Sequence, residues 1–112
     1  MKIETRSVGD VHILDISGKI TLGEATKTIR NTISDLLVNG GKKIVLNLTD
    51  VNYIDSSGIG ELVRTYTTVT NEGRQLKLLN LTKKIRELLA MTKLLTVFQV
   101  YENEQAAVAS FA

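Results

Sequence analysis

The stretch Ile44-Val45-Leu46-Asn47-Leu48-Thr49-Asp50-Val51-Asn52-Tyr53-Ile54-Asp55-Ser56-Ser57-Gly58-Ile59-Gly60 decides the fold. Its first five residues form a short, almost continuously apolar run, the pattern of a central strand buried on both faces. Asp50 and Asn52 mark a bend. Asp55, Ser56 and Ser57 are three good helix caps in a row. Behind them Ile59, Leu62, Val63, Tyr66 and Val69 repeat at helical steps until Asn71-Glu72-Gly73 stops the pattern. A buried strand feeding directly into a capped amphipathic helix is the unit of a parallel α/β sheet.

Working outward, the same alternation recurs on both sides. Residues 2–8 and 11–17 read as two strands, joined at Gly9-Asp10 in a type II′ hairpin. The first strand is the more polar and belongs at a sheet edge. Gly18 breaks the second strand, Thr21 is the expected N-cap, and Leu22, Ala25, Ile29, Ile33, Leu36 and Leu37 form one apolar helix face ended by Asn39-Gly40-Gly41. Downstream, Leu76–Asn80 reads as a strand. Thr82 caps a short helix with Ile85, Leu88 and Leu89 inward. Val97–Tyr101 reads as a last strand, and Asn103 opens a terminal helix ending near Phe111. The expected fold is α/β in the order ββαβαβαβα. It is one domain over residues 1–112, a mixed, mostly parallel sheet of about five strands packed with about four helices.

Composition narrows the function. With 43% hydrophobic and 23% charged residues the chain suits a globular domain, and its scarce aromatics imply an aliphatic core. It has no cysteine, which removes disulfides, thiolate metal sites and cysteine catalysis. No apolar stretch approaches the length of a membrane span, and the charged, alternating start is no signal peptide, so a cytoplasmic, non-membrane protein is expected. Net charge is +2 with basic residues scattered apart from the pairs Lys42-Lys43 and Lys83-Lys84, which argues against a nucleic-acid partner.

Motifs for catalysis are poor. His12 is the single histidine, so no strong transition-metal cluster can form. A triad of Ser56 or Ser57 with His12 and Asp15 is conceivable, but Ile54 precedes Asp55 and the nucleophile-elbow glycine is missing. Gly58-Ile59-Gly60 lacks the third glycine of a dinucleotide fingerprint, because position 63 is Val, and no phosphate-binding P-loop motif exists. The expectation is therefore no catalytic residue, no metal and no cofactor. Residues 55–60 remain. A plain helix cap would explain Asp55 and one serine. It leaves unexplained a second serine and two glycines, each costing about 0.5–1 kcal/mol in a helix relative to alanine.

Residues 44–60 resemble the signature of STAS domains, and more narrowly of bacterial anti-sigma factor antagonists; the likeness extends over essentially the whole chain. The resemblance implies that Ser56, directly after Asp55, is phosphorylated by a partner that is both anti-sigma factor and serine protein kinase, with Ser57 the alternative acceptor. It implies that the unphosphorylated form binds that partner, that the phosphorylated form lets go, and that a serine phosphatase restores it. Thr21, Asn52, Asp55, Ser57, Gly58, Ile59 and Gly60 are then the expected partner-binding residues. Gly58 and Gly60 would permit close approach, and the chain would be a monomer or weak homodimer. Many antagonists carry an acidic residue where this chain has Thr21. A scaffold or accessory STAS subunit that docks without phosphorylation is the rival reading.

Overall fold

Two neighbouring strand-forming runs, the first polar and the second apolar, fold back on each other across a glycine-led turn. In the computed structural model, which describes residues 1–111, β1 (Lys2–Val8) pairs antiparallel with β2 (Val11–Ile20), and Gly9 takes φ 62 at the turn. The chain continues through α1 (Glu24–Val38), β3 (Lys43–Ile54), α2 (Ser56–Asn71), β4 (Gln75–Leu79), α3 (Lys83–Met91), β5 (Val100–Tyr101) and α4 (Glu104–Ala109). The sheet order is β1-β2-β3-β4-β5, parallel from β2 onward, with the polar β1 at an edge. Element order and strand number match the expectation from sequence.

Strand alternation divides the core into two layers. On one face Leu14, Ile16, Ile44, Leu46, Leu76 and Leu78 pack with the apolar stripes of α1, α2 and α3. On the other, Val11, Ile13, Val45 and Leu79 meet Ala107 and Phe111 at the C-terminal end of the chain. Short α4 covers only part of that second face. The remainder is polar: Arg6 pairs with Asp15 (2.7 Å) and with Glu104, and Asn47 donates to Asp15 (2.8 Å). Hydrogen bonding and proximity to the Arg6 guanidinium hold the Asp15 and Glu104 carboxyls below their ordinary values.

A carboxylate whose pKa is lowered by folding adds stability above its unfolded pKa, and that stability is lost as pH falls through the folded value. Stability is therefore expected to drop between neutral pH and the region below the ordinary carboxylate range. Arg6→Met should reduce the difference in urea midpoint between pH 7 and pH 3, because both carboxylates then lose the guanidinium that most lowers their pKa. An unchanged difference would show that the cluster carries none of the acid sensitivity.

Four boundaries depart from the sequence reading. The first is Gly18, which does not break β2: it lies within the strand at φ 94, beside a register shift, and the strand runs on to Ile20. Second, Asp50 and Asn52 do not end β3, which continues to Ile54. Beyond Asn47, β3 has left β4 behind and pairs only with the extension of β2. This narrow ribbon projects past the wider sheet, and its solvent-facing positions are accordingly polar. Third, α1 is not capped by Thr21. Its N-cap is Gly23, at φ 107 and without a side-chain cap bond, and the reversal there leaves Leu22 outside the helix and 76% exposed. Fourth, the last strand is only Val100–Tyr101, because Val97 closes a turn onto Leu94 and Phe98 leaves the sheet plane to fill the core against Tyr66. The capping residues Thr82 and Asn103 act as expected, accepting from Ile85 and Ala106.

Candidate functional site

The β2–β3 ribbon ends where the chain turns into α2. Asp55 is the N-cap in extended geometry, and its two carboxylate oxygens are both used: Oδ1 accepts from Gly58 N–H (2.8 Å) and Oδ2 from Leu22 N–H (3.3 Å). The Asp55 N–H in turn donates to the Ile20 carbonyl (3.3 Å). One side chain therefore caps α2 and ties the loop before α1 to the loop before α2. Asp55→Ala removes both acceptors. It is expected to cost about 1–2 kcal/mol of stability, the usual range for a lost cap, with Asp55→Asn recovering part of it in a thermal melt. A loss confined to a few tenths would mean the cap is redundant.

Ser56 is exposed at the first position of α2, and Ser57 beside it is half-buried. Being about 100° apart on the helix, they face different clefts. Ser56 borders an apolar groove of about 720 Å³ between α2 and α3, walled by Ile59, Val63, Leu88 and Leu94 and edged by Tyr53 and Lys84. The Lys84 ammonium stands 5.3 Å from the Tyr53 ring centroid, a cation–π contact at the groove mouth. Ser57 borders a smaller cleft of about 370 Å³ between α1 and α2, with Thr26, Arg30, Glu61 and Arg64. Glu61 is buried there and accepts from Arg30 (2.8 Å), with the Thr65 hydroxyl at 3.4 Å.

The two glycines have different causes. Gly58 is buried, and a Cβ there would meet the Ile20 carbonyl oxygen at 2.4 Å and Ile54 Cγ1 at 2.6 Å. The close approach expected of Gly58 is thus made within the chain, by the end of β2. Gly60 is exposed, a Cβ there would meet nothing within 4 Å, and it borders both clefts. Among the described residues nothing requires that glycine. Of the other expected residues, Ile59 is buried but forms groove wall. Thr21 lines a neighbouring polar cleft with Lys19 and Leu22, joined to the site through the Leu22–Asp55 bond. Asn52 is exposed on β3 and lies outside both clefts beside the serines.

Sequence reading missed Lys84, Arg30, Arg64 and Tyr53 as site residues. The pairs and periodicities around them were visible, but which helix faces meet is a tertiary matter. His12 lies at the far end of the sheet: it is in register with Ile44, whereas the turn follows Ile54. A triad with Ser56 or Ser57 therefore cannot assemble.

The chain resembles known proteins in sequence and in fold. The chain is 32% identical over 72 residues to the anti-sigma-B factor antagonist of Bacillus subtilis, covering 64% of this chain and 66% of that one. The chain spans from about half to about two thirds of the length of the first curated relatives it matches. Its structure superposes with a TM-score of 0.88 on a Thermotoga maritima protein assigned as an anti-sigma factor antagonist, 26% identical, covering 96% of this chain and 92% of that one. The fold is also that of the Bacillus cell fate determinant SpoIIAA in its phosphorylated form, at a TM-score of 0.77 and 19% identity, covering 99% of this chain and all of the other. The STAS domain family model matches residues 2–107, and on that match, together with the sheet order and the Asp55-capped turn, the chain belongs to the STAS domain family.

Proposed function

We propose that this chain is an anti-sigma factor antagonist whose binding is switched by phosphorylation of Ser56. The observation that carries the reading is the position of Ser56. It is the exposed first residue of α2, bordered by an apolar groove, while the adjacent Asp55 is fully occupied in holding the turn. A phosphoryl group there adds about −1.5 to −2 charges. The domain tolerates this charge, because the free N–H groups and dipole of α2 favour an anion. A partner seated across the groove does not. The anti-sigma factor binds the bare serine, acts as the serine kinase that modifies it, and is released; a serine phosphatase resets the chain. The domain is a cytoplasmic binding module with no catalytic role of its own. Ser57 is the lesser candidate acceptor, since it is half-buried beside Arg30 and Arg64.

The test is incubation with the anti-sigma factor kinase of the same organism and ATP. One phosphoryl group on Ser56, lost in Ser56→Ala, supports the reading. Stable binding without any phosphoryl transfer would instead favour an accessory STAS subunit, a role compatible with the less acidic loop at Lys19 and Thr21.

A further inference from the structure

Gly60 has no internal reason to be glycine, yet it stands on the ridge between the two clefts. On one side lies the apolar groove with Lys84 at its mouth, on the other the cleft with Arg64. The acidic groups bordering these clefts are spent within the chain. Asp55 accepts two backbone N–H groups and Glu61 is buried against Arg30. Among the described residues neither Arg64 nor Lys84 has a carboxylate partner, and with Glu61 paired to Arg30 these two cations outweigh the single carboxylate of Asp55 along the ridge.

We infer that the ridge seats an acidic amphipathic helix of the anti-sigma factor, whose backbone crosses α2 at Gly60. Its apolar side chain enters the groove, and its carboxylates face Arg64 and Lys84. A bare ridge lets two helix backbones approach more closely than any side chain would allow. The groove is too apolar to be filled by a charged loop, and the basic flanks select the acidic partner. This rests on the antagonist reading and adds to it the partner's chemistry and the crossing point.

Gly60→Ala separates a docking role from a structural one by sign. Alanine is the better helix former and has open space, so the free variant should melt about 2–5 °C higher. Its affinity for the anti-sigma factor in calorimetry should fall at least tenfold. A double variant, Arg64→Glu with Lys84→Glu, should fall further and lose the decline of association rate with salt that an acidic partner produces. If the wild type binds and Gly60→Ala binds equally well, the crossing is wrong. If reversing the charges leaves affinity and salt dependence unchanged, the acidic partner is wrong. A wild type that binds no anti-sigma factor overturns the antagonist reading and the ridge with it. Dimerisation of the chain alone that Gly60→Ala abolishes would assign the ridge to a second copy and overturn the inference.

Discussion

A phosphoryl group on Ser56 is expected to weaken binding to the anti-sigma factor by roughly 10²–10³·⁵-fold, the equivalent of about 3–5 kcal/mol for leaving a buried charge uncompensated. Two effects act together. The phosphate must be desolvated at the lip of an apolar groove whose walls are Ile59, Val63, Leu88 and Leu94. It also meets the carboxylates of an acidic partner, which already engage Lys84, so like charges face each other across the interface. The fold should be nearly indifferent, with thermal stability unchanged or raised by the ~0.3–1 kcal/mol that an anion gains at a helix N-terminus. Incorporating phosphoserine at position 56 and titrating the partner by calorimetry checks both halves. Equal affinity for the two forms would refute the switch. Lost affinity accompanied by a collapsed melt would mean that phosphorylation acts by unfolding the domain rather than at its surface. Ser56→Asp should show the same direction with a smaller change, since it carries about half the charge.

Gly58→Ala is expected to destabilise the domain by about 2–3 kcal/mol, the cost of forcing an atom into a packed site. The new Cβ would lie 2.4 Å from the Ile20 carbonyl oxygen, a backbone atom held in the β2–β3 ladder. It cannot swing aside like the end of a flexible side chain. Moving α2 away would stretch the Asp55 cap and the Asp55–Ile20 bond together. The urea midpoint should fall while the slope of the transition stays constant, because the surface exposed on unfolding is unchanged. Gly60→Ala is the internal control. Both substitutions add the same methyl to the same helix, so any propensity gain is shared. The opposite signs expected for the two melts isolate the contact with Ile20. A Gly58→Ala variant as stable as the wild type would show that the end of β2 yields freely.

The two glycines also show how far the sequence could be read. That residues 55–60 form a special turn was legible, because capping residues and helix-weakening glycines stand side by side in an otherwise ordinary pattern. That Gly58 serves the fold while Gly60 leaves a surface open was not. The difference lies in what a Cβ at each position would meet, and for Gly58 that is Ile20, far away in the chain. Leu22 teaches the same lesson from the other side. Its spacing fits the apolar stripe of α1, but Asp55 captures its N–H and Gly23 turns the chain, so the side chain faces solvent.

By itself the sequence determined the element order, the edge position of the first strand, the stripes of the main helices and the serine-bearing turn. Periodicity and capping are local, and each element carries its own signal. Tertiary structure decided how far β2 and β3 run. Their terminal residues alternate polar positions with the buried Ile20, Val51 and Ile54, and they take strand geometry by pairing with each other beyond the end of β4. It also decided the buried polar contacts. Lys77 lies on β4 with a charged side chain, yet it is 6% exposed, donates to Ser110 (2.7 Å) and lies 4.3 Å from the Phe111 ring centroid. Finally, it placed an apolar groove on one side of Ser56 and a basic cleft beside Ser57. Those clefts are made by faces of α1, α2 and α3 that come together only when all three helices pack on one side of the sheet. The turn that opened the sequence reading therefore supplies the serines, and the packing around it supplies the surface on which a phosphate would act.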